Sequence, residues 1–246
     1  MVAVRSALFL VLMAFAVVIY ASALVVLGGV LGIRGRGRIG RSWARLTLWL
    51  LERLCGLGYR VDGCENLPHQ ACLVFCKHQS AWETIALRAL LPLEQTWVLK
   101  QELMRVPFFG WALQRYQPIA IDRSAGRQAI RHLLKTGADR LAAGYWVVIF
   151  PEGTRVAPGQ VKRFTIGGAL LAERTAARVV PIAHNAGVFW RRRSLRKFPG
   201  CIELVIGPAI ETQSKTAAEI NAAAEDWINR TVAALPGGDQ VSSAAR

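Results

Sequence analysis

The sequence predicts an α/β fold: a mostly parallel central sheet flanked by helices, preceded by an N-terminal hydrophobic helical segment that anchors the chain to a membrane. Beyond residue 58, short runs rich in Val and Ile alternate with longer helical stretches, as in a parallel sheet covered by helices. Most of these runs do not alternate with polar residues, which is typical of strands buried on both faces. An uncharged apolar stretch over residues 6–33 predicts the anchor.

The anchor comes first along the chain. About 20 apolar residues suffice to cross a bilayer, and the stretch 6–33 is longer than that. A signal peptide is the competing interpretation, because Ala21-Ser22-Ala23 resembles a cleavage site. The apolar run continues well past that point, so we expect a retained anchor. Both a full span and a segment that re-enters one leaflet are compatible with its length.

The charges around the anchor predict its orientation. Arg5 precedes it, whereas a group of arginines follows it: Arg34, Arg36, Arg38, Arg41 and Arg45. The positive-inside rule then places the rest of the chain in the cytoplasm. We therefore expect a protein of the cytoplasmic (inner) membrane whose main domain faces the cytoplasm. A second apolar stretch, 46–57, is too short to span, and it either lies in the interface or returns to it.

The elements beyond the anchor follow from the same patterns. The predicted strands are 71–76, 96–100, 118–121, 146–150, 178–183 and 201–206. The predicted helices are 81–91, 106–116, 125–143, 166–176 and 217–234, the last of which begins with Thr216 and Glu219 at capping-box spacing. We divide the chain into a membrane-associated segment (1–58), an α/β domain (59–235) and a flexible tail (236–246).

The charge balance indicates an anionic partner. The net charge is +15, from 31 Lys and Arg against 16 Asp and Glu, and such a chain attracts nucleic acid or an anionic bilayer. The anchor favours the membrane surface, and the sequence lacks an aromatic RNA-binding signature, so we expect no nucleic acid. The basic cluster 191–197, flanked by aromatic residues, fits membrane contact. The five cysteines lack paired metal spacing, so we expect neither metal nor disulfides.

Polar residues directly follow four of the predicted strands. They are Lys77-His78, Asp122-Arg123, Glu152 to Arg155, and His184-Asn185. Ligands of open α/β sheets collect beyond the carboxyl ends of the strands, so these residues are predicted to converge on one site. We interpret His184 as structural, because no carboxylate lies near it in the sequence.

His78 and Glu83 are the candidate acid–base pair. Residues five apart do not share a helix face, so His78 must precede a helix if Glu83 is to reach it. With Ser80 as N-cap, Glu83 falls at the third helical position and completes a capping box. Glu83 then either caps the helix only, or also holds one ring nitrogen of His78 as N–H and leaves the other free to accept a proton.

Two arginines are candidates for binding a phosphate. Arg123 precedes Ser124, the predicted N-cap of the 125–143 helix, where an anion is favoured. An ion pair with Asp122, or simple exposure to solvent, is the alternative. In FPEGTR, Pro151 ends a strand and the chain turns through Gly153.

That turn predicts free N–H groups on Gly153 and Thr154 and an outward-facing Arg155, whose planar fork suits phosphate oxygens. Glu152 would either hold Arg155 in place or bind an acceptor hydroxyl. A tight turn with an incidental ion pair is the competing interpretation.

Four motifs together resemble a known family. His78-x4-Glu83, IDR at 121–123, FPEGTR at 150–155 and VPIA at 180–183 occur in the order and approximate spacing of the four blocks of the glycerolipid acyltransferases. The resemblance covers roughly residues 59–210. It implies that His78 is the general base and Glu83 its orienting partner, in a position where the family usually has Asp. It also supports Lys100, at the end of strand 96–100, as a weaker phosphate contact.

The resemblance implies a function as well as a fold. The bacterial members of this family that acylate lysophosphatidate use a thioester of acyl carrier protein or coenzyme A as the acyl donor. They transfer the acyl chain to the sn-2 hydroxyl of lysophosphatidate, giving phosphatidate. No cofactor is expected, because the thioester is already activated. Backbone N–H groups near Gly153 would stabilise the tetrahedral oxyanion. Glycerol 3-phosphate or a lyso-aminolipid is the alternative acceptor, and a non-catalytic basic membrane adaptor, indifferent to loss of His78, is the alternative class.

Overall fold

The computed structural model describes residues 1–237, so most of the predicted tail (236–246) lies outside the described residues. The helices are α1 (Val2–Leu27), α2 (Ile33–Cys55), α3 (Trp82–Leu90), α4 (Phe109–Arg115), α5 (Arg127–Ala142), α6 (Gly167–Thr175), α7 (Ala186–Phe189) and α8 (Ala217–Ala234). The strands are β1 (Leu57–Asp62), β2 (Leu73–Cys76), β3 (Gln95–Lys100), β4 (Ile119–Ile121), β5 (Trp146–Ile149), β6 (Val179–His184) and β7 (Gly200–Ile206).

The strands form a single sheet in the order β1-β7-β6-β2-β5-β3-β4. Its neighbours are parallel except β6 and β7, which are antiparallel. The predicted mostly parallel α/β fold is therefore confirmed. β1 was not predicted, because it lies at an edge and its burial pattern lacks the continuous apolar run of a central strand.

The register of the central strands determines where the site forms. β2 lies between β5 and β6, with Phe75 opposite both Ile149 and Pro181. All the residues of these three strands are buried, as expected for strands covered on both faces. Their carboxyl ends therefore lie side by side at one edge of the sheet, and the polar residues that follow them are brought together.

The helices cover the two faces of the sheet separately. One hydrophobic cluster joins the sheet to α1, α2 and α3, and a second joins it to α5, α6 and α8. The apolar stretch 46–57 lies mostly in α2, which packs against both α1 and α3. The predicted capping box of α8 is present, with Thr216 N–H donating to Glu219 and Glu219 N–H donating to the Thr216 hydroxyl.

α1 is held to the rest of the protein at both ends. Near its start, the Ser6 hydroxyl accepts the Lys197 backbone N–H at 2.9 Å, and Phe9 packs edge-on against Trp190. Near its end, Leu24 packs with Ala112 of α4. Within residues 1–237, α1 is the one helix long and apolar enough to cross a bilayer. Its large exposed side chains are almost all apolar: Val4, Leu8, Val11, Phe15, Val18, Ile19, Val26 and Leu27.

Candidate active site

A cavity of about 700 Å³ opens at the carboxyl ends of the central strands. Most of the predicted site residues line it: His78, Lys100, Arg123, Gly153, Thr154 and Arg155. The remaining two, Glu83 and Glu152, are fully buried. The cavity continues between α1, α2 and α4, where its walls are mainly apolar and aromatic.

His78 and Glu83 are in contact. The His78 Nδ1 lies 2.8 Å from Glu83 Oε1, and the same oxygen accepts the backbone N–H groups of Gln79 and Ser80. The His78 ring stacks on Phe150, with centroids 4.1 Å apart. Within residues 1–237 no protein atom hydrogen-bonds the other ring nitrogen, Nε2. A neutral His78 that donates from Nδ1 therefore has Nε2 free to accept a proton.

The helix after His78 begins one residue later than the capping box predicts. Its N-cap is Ala81, and the Ser80 hydroxyl accepts the Trp82 N–H at 3.2 Å rather than that of Glu83. The prediction of Ser80 as N-cap is therefore wrong. The other half of the box is present, because Glu83 accepts the Ser80 N–H. The Glu83 carboxylate thus organises the loop backbone and contacts His78 at the same time.

Glu152 lies behind the cavity and pairs with a buried lysine. Its Oε1 is 2.5 Å from Lys77 Nζ, and its Oε2 accepts the His78 backbone N–H at 2.8 Å. Burial raises the pKa of Glu152, against the positive charge of Lys77. Glu152 therefore does not contact Arg155, and it is not exposed to the cavity, where an acceptor hydroxyl would bind. Both predicted roles of Glu152, holding Arg155 and binding the acceptor hydroxyl, are wrong. Lys77 was predicted to lie at the site but was given no partner, although a lysine that directly follows the buried β2 has little access to solvent and needs a buried acceptor.

His184 completes the buried network. Its Nε2 lies 2.8 Å from the Lys77 carbonyl and its Nδ1 accepts the Ala186 N–H at 3.2 Å, so one ring nitrogen donates and the other accepts. The ring is therefore neutral, and burial lowers the pKa of His184. Glu83 Oε2 is 3.9 Å away. Burial alone would raise the pKa of Glu83, but the hydrogen bonds that its carboxylate accepts from the His78 ring and the Ser80 N–H hold that pKa below its usual range, so Glu83 is ionised.

The turn after β5 differs in one respect from its prediction. Gly153 has φ +69°, a conformation that favours glycine, and its N–H donates to the Phe150 carbonyl at 2.9 Å. This N–H is therefore not available to a ligand, contrary to the prediction. Within the described part of the chain, the Thr154 N–H and the Arg155 side chain have no protein acceptor. Both residues line the cavity.

Lys100, Arg123 and Arg155 are the exposed or half-buried cations that line the solvent side of the cavity, here called its mouth. The Arg123 guanidinium donates to the Gly153 carbonyl of this turn. Asp122 does not pair with it: the Asp122 carboxylate accepts the Ser124 N–H at 2.9 Å and hydroxyl at 2.6 Å. The prediction of Ser124 as a helix N-cap is wrong, because residues 123–125 form a short 3-10 turn and α5 starts later, after Gly126. Lys100 is exposed, 3.9 Å from Glu102.

Comparison with known proteins identifies similar sequences. The model of the family described as "Acyltransferase" matches residues 58–185. A 1-acyl-sn-glycerol-3-phosphate acyltransferase of Pseudomonas aeruginosa is 42% identical over 238 residues, which cover 95% of this chain and 92% of that protein. The human 1-acyl-sn-glycerol-3-phosphate acyltransferase alpha is 27% identical over 198 residues, covering 80% of this chain and 70% of the human protein.

A solved structure has a similar fold. It is the crystal structure of the 1-acyl-sn-glycerophosphate (LPA) acyltransferase PlsC from Thermotoga maritima, which superposes with a TM-score of 0.77. The match covers 94% of this chain and 96% of that chain, at 20% sequence identity. At this identity the likeness concerns the fold alone.

Proposed function

The chain belongs to the acyltransferase family, which confirms the resemblance of its motifs, and on that premise we propose that it acylates the sn-2 hydroxyl of lysophosphatidate from an acyl thioester, giving phosphatidate. The observation that carries the proposal is the His78–Glu83 contact at 2.8 Å on the wall of a large, mainly apolar cavity. The named activity of the relative that matches 95% of this chain supports the same acceptor.

In this mechanism His78 is the general base. Its Nε2 takes the proton of the acceptor hydroxyl while that oxygen attacks the thioester carbonyl. The buried, ionised Glu83 stabilises the imidazolium that forms and keeps the ring oriented. The proton then passes from His78 to the leaving thiolate. Because the substrate brings its own nucleophile, no covalent intermediate with the enzyme is needed.

The cations at the mouth would bind the phosphate of the acceptor. Arg123 and Arg155 flank the Gly153 turn, and the Arg155 fork has no protein acceptor within residues 1–237. Lys100 lines the same mouth and would add a weaker contact. With the Gly153 N–H engaged in the turn, the Thr154 N–H is the backbone donor left for the oxyanion of the tetrahedral intermediate. The apolar part of the cavity would hold an acyl chain.

The attachment of α1 supports a particular membrane arrangement. α1 contacts the rest of the protein near both of its ends, at Lys197 and at Ala112. If α1 crossed the bilayer, the parts of the protein that it contacts would have to lie within the bilayer as well. We infer that α1 lies along the surface of the inner membrane with its exposed apolar face in the cytoplasmic leaflet. On this proposal residues 1–58 form the membrane-associated part, and 59–235 form the catalytic domain, which faces the cytoplasm. The thioester donor, on acyl carrier protein or coenzyme A, then arrives from the aqueous side.

The test is acyl transfer to lysophosphatidate by the purified protein in detergent, comparing wild type with His78→Ala and Glu83→Gln. General-base catalysis contributes about 10²–10⁴-fold, so both variants should lose activity by at least two orders of magnitude. Glutamine keeps an acceptor oxygen for the Ser80 N–H, and thermal melting checks that the variant folds. Glu173→Gln, an exposed position on α6, is the matched control and should retain full activity.

The alternatives give different results in the same assay. Transfer to glycerol 3-phosphate or a lyso-aminolipid, and not to lysophosphatidate, would reassign the acceptor and leave the base in place. Binding to anionic vesicles without transfer to any acceptor, unchanged in His78→Ala, would identify a membrane adaptor and overturn the proposal. Full activity in Glu83→Gln would reduce Glu83 to an organiser of the loop backbone.

A further inference from the structure

Arg88 is a buried cation on the cavity wall that the mechanism does not use. It lies on α3 one turn after Thr84, and both residues line the cavity. Its residue exposure is 8%. Within residues 1–237 its guanidinium donates no hydrogen bond, no carboxylate lies within ion-pair distance, and Nη1 is buried without a partner. A buried guanidinium with its N–H groups unsatisfied is costly unless a ligand or water supplies an acceptor.

Two aromatic rings offset the charge of Arg88 without accepting its in-plane hydrogen bonds. Its Cζ lies 4.3 Å from the centroid of Tyr116 and 5.3 Å from that of Trp97. Such contacts favour a cation over the ring face, whereas guanidinium N–H groups point outward in its plane. Burial lowers the pKa of Arg88 to about 10, so the group stays charged near neutral pH. An acceptor in the cavity would therefore find a charged, pre-positioned donor.

Arg88 lies within the length of a fatty chain from the reacting centre. Successive ring contacts connect it to His78: 4.1 Å to Phe150, 5.8 Å on to Trp97 and 5.3 Å to the Arg88 Cζ, so the separation is at most about 15 Å. The lining residues nearest Arg88 are Gly40, Trp97 and Tyr116, together with Thr84, whose hydroxyl donates to the Ala81 carbonyl. The other cations that line the cavity are Lys100, Arg123, Arg155, Arg192 and Arg193. Lys100, Arg123 and Arg155 belong to the mouth.

We propose that Arg88 is a polar subsite inside the apolar cavity and that it binds a hydroxyl oxygen carried on a fatty chain. The inference rests on the proposed function, because it takes the cavity to hold an acyl chain. A phosphate would need more than one cation for its charge, and its site is at the mouth, whereas a hydroxyl matches a single donor and costs little to desolvate. The hydroxyl chain belongs either to the thioester donor or to the lysolipid acceptor.

The experiment compares paired substrates that differ by one hydroxyl. The donors are 3-hydroxypalmitoyl against palmitoyl and 12-hydroxystearoyl against stearoyl, on whichever thioester carrier supports transfer to lysophosphatidate. In a second arm, palmitoyl donor is used with lysophosphatidate whose chain is oleoyl or 12-hydroxyoleoyl. We expect kcat/KM to be at least fivefold higher for the hydroxylated member of one pair, and the arm in which this occurs identifies the chain that reaches Arg88.

The Arg88→Met variant tests whether Arg88 causes the preference. Methionine replaces a buried, unpaired cation by an apolar chain that matches the arginine stem but lacks the guanidinium, so the fold should be retained, and melting checks this. The ratio within each pair should fall to about one in Arg88→Met, and an intermediate ratio is expected in Arg88→Lys, which keeps the charge but loses the planar fork.

The outcomes separate this inference from the proposed function. Transfer of plain chains with no hydroxyl preference in wild type, in either arm, would overturn the Arg88 subsite and leave the acyltransferase proposal intact. A preference that persists in Arg88→Met would also overturn it, because another group must then bind the hydroxyl. No transfer of any chain would contradict the proposed function itself.

Discussion

The charged residues behind the His78 ring and those in front of it are arranged in opposite ways. Behind it, Lys77, Glu83, Glu152 and His184 are all nearly or fully buried, and each is bonded to another charged or backbone group. In front of it, the cations at the mouth are exposed or half-buried, and in the described chain their only carboxylate within 4 Å is Glu102, 3.9 Å from Lys100.

This difference gives the two groups of charges different roles: the buried ones position His78, and the exposed ones are available to a ligand. The buried charges satisfy one another, so they fix the position of His78 and have nothing left for a ligand. The cations at the mouth have unused donors, so they are suited to an anion that arrives with the substrate. Substitutions behind the ring should therefore change stability and kcat, whereas substitutions in front should change KM and leave stability unaltered.

The largest effect is expected from Lys77→Met. It leaves Glu152 buried without its partner, which costs about 3–5 kcal/mol of unfolding free energy. The double variant Lys77→Met/Glu152→Gln should recover most of this loss, because glutamine is uncharged and can still accept the His78 N–H. Denaturant unfolding of both single variants and the double variant measures the coupling. If Lys77→Met left the free energy of unfolding unchanged, the buried charges behind His78 would not differ from the cations at the mouth in their contribution to stability.

A smaller effect, on substrate binding alone, is expected from Arg155→Met. A hydrogen bond to a charged group contributes about 1.5–3 kcal/mol, so KM for lysophosphatidate should rise about tenfold to a hundredfold at unchanged melting temperature. The rise should shrink at high salt, where the wild-type contact is also screened. Arg174→Met, an exposed position on α6, is the matched control. A loss of kcat at constant KM would place Arg155 in the chemical step instead.

Most of the fold could be predicted from the sequence because the central strands are buried on both faces. Runs such as 146–150 then appear as uninterrupted apolar segments, and β5 is observed at Trp146–Ile149. The edge strand β1 gave no such signal, since only one of its residues is fully buried. The tendency of ligands to collect at strand ends was enough to gather His78, Arg123 and Arg155 around one cavity.

The part of the site that could not be predicted depends on contacts far apart in the sequence. The His78–Glu83 contact spans five residues, so local geometry allowed it to be anticipated. The Lys77–Glu152 pair and the approach of His184 to Glu83 require the placement of β2 between β5 and β6, which residue patterns alone do not specify. For this reason Glu152 was predicted either to hold Arg155 or to bind the acceptor hydroxyl, whereas it pairs with Lys77 behind the base.

The buried region should also give stability a dependence on pH. Burial lowers the pKa of His184 below its ordinary value of 6.5. Below about pH 6.5 the unfolded chain therefore binds more protons at this residue than the folded chain does. The free energy of unfolding then falls as the pH falls, by at most about 1.4 kcal/mol per pH unit. Glu152, with its raised pKa, acts in the opposite direction, and the lowered pKa of Glu83 matters only in more acidic solution. Unfolding free energies of wild type and His184→Gln between about pH 7.5 and 5.5 isolate the histidine, because glutamine does not titrate. Parallel slopes would show that His184 is not the group responsible.

The smallest effect is expected from Lys100→Met at the cavity mouth. The Lys100 side chain is 52% exposed and its contact with Glu102 is long, so its interactions are screened by water and belong to the range of about 0–1 kcal/mol. KM for lysophosphatidate should therefore rise no more than about threefold, with kcat and melting temperature unchanged. The rise in KM for lysophosphatidate in Arg155→Met is the reference against which the rise in Lys100→Met is compared. An equal rise in the two variants would mean that the bound phosphate reaches Lys100 and excludes water there, so that the phosphate site extends across the mouth instead of centring on the two arginines.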